Sequence, residues 1–295
     1  MAVGNTITQS LDDSIPTLIA EARIVREQAA VMTSSVDRVT LKRNTGTAWN
    51  EVALDALTAQ AVTESTELDN PQQLSDTLFT VTPTVIGLQT LITNRVALRI
   101  SANAFARTGV LAQNGIERKK DEDGLLILSG ATTVLGTTNT ALAVGEIRAG
   151  RYQISSNLTE RAAPNSSYTA ILHGFQIVDI ETEILDPPTG ATVQLGNNFG
   201  TEVFKNGFRG MAGGVMVKED GNISIDGNAD AIGGVFVREG IVLVQGRSPY
   251  VLPREEPHIG GGATSLFHYD EYAYGERSAG NWVFGITSDA TAPTS

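Results

Sequence analysis

The 295-residue chain has no cysteine, three histidines and only 6% aromatic residues. Without thiols it has no disulfides, no thiolate metal ligands and no cysteine nucleophile. His173, His258 and His268 do not stand at metal-ligand spacing, and none belongs to an HExxH pattern. No run approaches the roughly eighteen uninterrupted apolar residues that a membrane helix requires. Positive charge is scarce as well, with 21 Lys and Arg against 33 Asp and Glu, a net charge of −12. Both halves share the deficit: 11 basic residues face 15 acidic before residue 130, and 10 face 18 after it. Such a surface repels nucleic acid and lacks the basic footprint of a sequence-reading protein. The opening MAVGNTITQSLDDSIP shows no basic segment leading into an apolar one, so no signal peptide is expected. These absences point to the cytosol, or to an assembly formed there.

What is present fits a folded protein: 41% hydrophobic and 18% charged residues, enough for one large domain or two ordinary ones. Residues 1–9 carry no pattern and read as an extended arm. Asp12, Asp13 and Ser14 offer capping oxygens, and Pro16 suits a first helical turn. Ile15, Leu18, Ile19, Ala22, Val25, Ala29 and Met32 then follow helical spacing, a single apolar stripe that needs a surface to lie on.

Residues 36–43 read as a strand ending at the turn signal Asn44-Thr45-Gly46-Thr47. Some thirty polar and small residues follow before the chain returns in Leu78–Val85. There Phe79, Val81, Pro83 and Val85 share one face. Pro83 interrupts the hydrogen-bond ladder, so the strand lies at an edge or leaves the sheet there. The pattern predicts a long two-stranded excursion that needs packing from elsewhere.

A helix is predicted from Ser101 or Ala102 to about Asp123, with Phe105, Gly109, Ala112 and Ile116 on one stripe. Gly109 and Gly115 each cost about 1 kcal/mol in a helix interior, which suggests close packing or a bend. The helix closes on GIERKKDEDGLLIL. At helical spacing Glu117 meets Lys120, Arg118 meets Glu122, Lys119 meets Asp123, and Gly124 suits a left-handed cap. A calcium loop is excluded because Lys119 would occupy its first position. A nucleic-acid patch fails on balance, three bases against four acids in residues 117–123. A solvated helix end is the plainer expectation, with salt bridges to another chain the alternative.

Beyond Gly124, Leu125–Leu128 leads into a loop-like stretch through Thr140 that reads as a boundary. A helix over 141–160 would bury Ala143, Ile147 and Tyr152. Tyr168–Leu172 reads as a buried strand, Phe175–Leu185 as a helix, and Asn198 caps a short helix bearing Phe199, Val203 and Phe204. Sixteen of the 30 glycines fall between Gly190 and Gly262, a region of turns and short elements. A terminal hairpin is predicted from Ser265–Tyr274 and Asn281–Ser288. Glu255, Glu256 and His258 could compose an acid–base site, but adjacent carboxylates in a proline-bounded loop are normally solvated. Asp226–Asp230 reads as a turn. No phosphate loop or nucleophile elbow occurs, so no catalytic residue, metal site or cofactor is expected.

The order of RKKDEDGLLIL, YTAILHGFQ, GGVFVREGIVLVQ and YAYGERSAGNWVFGITSDA resembles the major capsid proteins of tailed bacteriophages. That shell fold is shared with encapsulins and the herpesvirus capsid floor. The resemblance implies an α+β chain: an N-arm with its helix (1–35), an extended E-loop hairpin (36–86) and a peripheral domain (87–130 and 251–295). The peripheral domain carries the long spine helix, and an axial domain spans 131–250. It implies a non-enzymatic virion protein that forms pentamers and hexamers around double-stranded DNA, assembled in host cytoplasm. A separate scaffolding protein, a portal and a decoration protein are the implied partners. Ile15, Leu18, Ile19, Lys42, Arg43, Trp49, Arg118, Lys119, Lys120, Asp121, Glu122 and Asp123 become candidate inter-subunit contacts. Arg118, Lys119 and Lys120 are also candidates to meet packaged DNA without sequence specificity. The rival readings are an encapsulin-type nanocompartment and a monomeric β-rich hydrolase using Glu255, Glu256 and His258.

Overall fold

A near-continuous apolar run around paired glycines, as in DAIGGVFV, favours a strand covered on both faces, and such a strand lies at the centre of the larger sheet. The computed structural model describes residues 30–44, 46–59, 61–64, 71–99, 102–157, 160, 162, 166–185 and 210–294. The expected N-terminal helix up to Ala29 and the short helix after Asn198 lie outside the described residues.

A single helical turn, α1 (Met32–Ser35), precedes β1 (Asp37–Thr40), β2 (Trp49–Leu54), β3 (Asp76–Val81) and β4 (Thr84–Thr93). The short α2 (Asn94–Ala97) and long α3 (Ala102–Ser129) lead to β5 (Val134–Gly136), α4 (Val144–Ser155), β6 (Tyr168–Leu172) and α5 (Gly174–Leu185). The chain closes with β7 (Gly210–Ala212), β8 (Val215–Glu219), β9 (Asp230–Val237), β10 (Ile241–Glu256), β11 (Ala263–Glu276) and β12 (Val283–Asp289).

These strands form three sheets, ordered β1-β10-β11-β4, β5-β12-β9-β6-β8-β7, and the separate pair β2-β3. In the six-stranded sheet, period-two alternation divides the core. Val235, Val237, Ala170, Leu172, Phe284 and Ile286 face α4 and α5. Phe236, Ile171 and Val283 point the other way, toward Leu125 and Leu128 of α3. Helix α3 also packs on β11 and β4, so one helix ties the two large sheets together.

Several expectations change. Residues 36–43 do not pair with the returning strand; β1 runs parallel to β10, and the return strand β3 pairs with β2. The predicted terminal hairpin does not form: β11 pairs with β10 and β4, whereas β12 joins β9 and β5 in the other sheet. Both segments alternate correctly, but the six residues between them carry the chain from one sheet to the next. Residues 131–140, expected as a loop, include β5. On α4, Ile147 is buried but Tyr152 is exposed. Val85 is exposed too, because the chain changes sheet at Pro83 and the alternation does not carry across.

Helix α3 does not stop at Gly124. It continues one and a half turns to Ser129, so Leu125–Leu128 is helical. Gly124 is there for clearance, since a Cβ would lie 2.4 Å from Met32 Cγ and 3.0 Å from Tyr274 Cζ. The residue that resembled a cap is the point where α1 and β11 approach the helix most closely.

Candidate functional site

The β2-β3 hairpin stands out because the apolar side chains of its outer face are left exposed by the described residues. Register pairs Trp49 with Val81, Glu51 with Phe79, and Val52 with Leu78. Alternation therefore sends Trp49, Phe79 and Val81 to the inner face and Val52, Leu54 and Leu78 to the outer one. At the base, Val81 joins Val242 and Val244 of β10 in a small core, with Trp49 and Phe79 packed against it. Farther out the hairpin remains paired: Thr58 N–H donates to Gln72 Oε1 at 2.8 Å, and Gln72 Nε2 donates back to the Thr58 carbonyl at 2.5 Å. Yet Val52, Leu54, Leu57, Leu74 and Leu78 are each more than half exposed. Burying such a side chain contributes about 1.5–3 kcal/mol, so these five offer on the order of 10 kcal/mol to a docking surface.

Arg277 fixes the hairpin's base. Its Nε lies 2.7 Å from Glu51 Oε2 on β2, its Nη2 2.8 Å from Asp37 Oδ2 on β1, and its Nη1 donates to the Glu239 carbonyl. The guanidinium also sits 5.5 Å from the Trp49 ring. Burial alone would pull its pKa down, but the Glu51 and Asp37 carboxylates together hold it above the usual value. Lys42 and Arg43 lie on the exposed connection between β1 and β2.

The charged end of α3 splits into an outer and an inner face. Outside, Arg118 meets Glu122 at 3.5 Å and Lys119 meets Asp123 at 2.5 Å, the pairings expected from helical spacing. Inside, Lys120 and Asp121 are buried, so the reading of this stretch as a solvated helix end does not hold for them. Lys120 turns away from Glu117 to contact Asp270 Oδ2 at 2.5 Å and donates to Gln245 Oε1 at 3.3 Å. Its ammonium also sits 4.9 Å from the Tyr272 ring. Asp121 accepts from the Met32 N–H at 2.9 Å and from Asn222 Nδ2 at 2.8 Å. Enclosed within their own chain, Lys120 and Asp121 are removed from the surface candidates. Ile15, Leu18 and Ile19 lie outside the described residues.

A second carboxylate, Asp220, faces Asp121. Its Oδ1 accepts from Asn222 N–H at 2.9 Å, while its Oδ2 is buried with no donor. Burial first, and the contact with Asp121 next, push its pKa up to about 7. Protonated, Asp220 can donate to Asp121 and settle both groups.

No family model matches the sequence, and no curated protein is a recognisable relative. Solved structures do match over nearly the whole chain. The capsid of the cyanophage P-SCSP1u superposes with a TM-score of 0.69 at 10% identity, over 95% of this chain and 94% of that one. The capsid of Ralstonia phage GP4 gives 0.65 at 14% identity, over 95% and 96%. The mature capsid of bacteriophage PhiM1 gives 0.63 at 14% identity, over 94% and 92%.

This is the tailed-phage capsid fold. On the capsid fold, Glu255 is exposed, and Glu256 lies 3.0 Å from Arg254 and 3.5 Å from His258, whose side chain is open to solvent. Glu256, at the end of β10, is engaged by Arg254 and His258, while Glu255 faces solvent. Asp226–Asp230 is a turn, with Asp226 Oδ1 accepting from the N–H groups of Asn228 and Asp230. Among the described residues no group of His, Asp or Glu could hold a metal, and no helix is long and apolar enough to cross a membrane. Arg277, Asp270 and Asp220 were not anticipated. Asp270 carried a faint signal, an inward position in the alternation of His268, Tyr272 and Tyr274; Asp220 carried none.

Proposed function

We propose that this protein is a major capsid protein, which assembles through pentamers and hexamers into an icosahedral shell around the double-stranded DNA of a tailed phage. The observation that carries the reading is the pair β2-β3, hydrogen-bonded over residues 49–54 and 76–81 and rooted by Arg277 while Val52 and its outer leucines stay exposed. A projecting sheet of this kind has no purpose in a solitary chain and gains stability by lying on a second copy. Closed rings repeated from one interface set then give a shell. Residues 1–35 would serve as the N-arm, 36–86 as the E-loop, 87–130 with 251–295 as the peripheral domain, and 131–250 as the axial domain. Ile15, Leu18, Ile19, Lys42, Arg43, Trp49, Arg118, Lys119, Glu122 and Asp123 are the proposed inter-subunit contacts. Arg118 and Lys119 remain available to packaged DNA, but their pairing with Glu122 and Asp123 favours contacts between chains. The protein would act without catalysis or cofactor, in the phage head, after assembly in host cytoplasm with a scaffolding protein, a portal and a decoration protein.

The test is expression of the full chain, followed by light scattering and negative-stain imaging, with and without residues 44–70. Megadalton particles from the intact chain, lost in the deletion, are expected. A species that stays near 31.2 kDa with its genomic neighbours supplied would overturn the proposal.

A further inference from the structure

A cavity of about 430 Å³ opens between α1, α4, β8 and the 3₁₀ turn Arg238–Gly240. Arg151, Lys218 and Arg238 line it with the hydroxyls of Ser35, Ser166 and Ser167, and no carboxylate is among the described residues of its walls. On a chain of net charge −12, three cations sharing one acid-free cavity run against the overall balance.

Two of the three cations are held there by contacts of their side chains, and the third, Arg238, follows Val237 at the end of β9. Arg151 Nη1 donates to the Gly213 carbonyl at 2.6 Å, and the guanidinium sits 5.5 Å from the rings of Tyr152 and Tyr168. Gly214, at φ +83°, leaves the space it occupies, because a Cβ would lie 2.2 Å from Nη1. Lys218 Nζ donates to Ser35 Oγ at 2.8 Å. Burial, and then the neighbouring Arg238, lower the Lys218 pKa, so the charge is uncompensated where it stands. Arg238 forms no ion pair with a described residue. The Ser166 hydroxyl is buried without a hydrogen-bond partner. Orphaned donors and clustered like charge are both relieved by one bound anion.

We propose that this cavity is a binding site for an oxyanion of the phosphate class. Its polar lining comes from five separate segments, α1, α4, β8, the residues before β6 and the 3₁₀ turn, gathered around one cavity. A tetrahedral phosphate, with three or more acceptor oxygens and charge near −2, can meet them together. A carboxylate, with two acceptor oxygens and a single charge, would satisfy fewer of them. The phosphate could be free or belong to a nucleic-acid backbone.

The full chain is titrated with inorganic phosphate at constant ionic strength, read by calorimetry and by phosphorus NMR. Saturable binding at one site per chain is expected, with a rise in Tm that chloride does not reproduce. Arg238→Gln should weaken binding roughly tenfold while leaving the ligand-free Tm undiminished or slightly higher, since it removes a like charge beside Lys218. Ser166→Ala, a smaller change, should weaken it severalfold, and it secures the test should the arginine variant misfold. Displacement of phosphate by a short single-stranded oligonucleotide would support the site with a phosphodiester as its ligand; failure to displace would support it with free phosphate. Absent saturation, equal affinity in both variants, or equal competition by acetate would each overturn the proposal. None of these readouts depends on shell formation.

Discussion

Lys120 Nζ lies 2.5 Å from Asp270 Oδ2, with the two side chains 7% and 0% exposed. It is an ion contact more than an aligned hydrogen bond, since that oxygen has no hydrogen-bond partner. One residue away, Lys119 pairs with Asp123 with half its side chain in solvent. Adjacent lysines on one helix thus occupy opposite electrostatic regimes. Lys120→Met strands the Asp270 carboxylate and should cost about 3–5 kcal/mol in urea unfolding. Lys119→Met removes a surface pair and should cost under about 1 kcal/mol. Lys120→Met with Asp270→Asn should recover much of the loss. Equal effects from the two single substitutions would refute the assignment.

Asp220 predicts a pH dependence of definite sign. Its ordinary value is near 4 in the unfolded chain, and in the folded chain it is pushed up to about 7. Between those limits the folded state keeps a proton that the unfolded state has released, so stability falls as pH rises through that window. Tyr274, Arg38, Asp123 and Glu117 also lie in the electrostatic field of this corner of the fold. Glu146, Asp179 and Glu276, each raised by burial, act in the same direction. Tm should therefore decline between about pH 4 and pH 7, and Asp220→Asn should flatten much of the slope without abolishing it. An unchanged slope in the variant would show that Asp220 is already ionised.

What the sequence disclosed, and what it hid, follows from the range of the interactions. The strand Tyr168–Leu172, helix α5 and the core of α3 were legible because apolar period and capping are local. The outer ladder of Arg118–Glu122 and Lys119–Asp123 was legible for the same reason. Pairing partners were not: the alternation of Tyr272, Tyr274, Phe284 and Ile286 is real, but nothing local distinguishes a hairpin from two strands in different sheets. The burial of Lys120 depends on Asp270, 150 residues along the chain. Gly124 misled because a glycine that ends a helix and one that admits a neighbour look alike in sequence.

Arg277 binds carboxylates on two strands with different nitrogens, a geometry only a guanidinium supplies. Arg277→Lys can satisfy Glu51 or Asp37, not both. The substitution should loosen the hairpin root by about 1–2 kcal/mol. Amide exchange should accelerate across residues 49–54 and 76–81 by roughly tenfold, while β9 and β12 keep their protection. Uniform acceleration throughout the chain would mean that Arg277 supports the whole fold, not the hairpin alone.

Two glycines on α3 should respond to alanine in opposite ways. At Gly124 a Cβ collides with Met32 and Tyr274, and overpacking of about 1–3 kcal/mol should outweigh the gain in helix propensity. At Gly109 a Cβ meets nothing within 4 Å, so Gly109→Ala should stabilise the isolated chain by up to about 1 kcal/mol. Among the described residues nothing packs on the slim surface at Gly109. If α3 lies close against a neighbouring copy in a shell, the added methyl should lower particle yield even as Tm rises. Thermal melts of the unassembled chain, set beside particle counts from the same preparation, separate the two effects. A higher Tm with undiminished yield would remove this face of α3 from the interface.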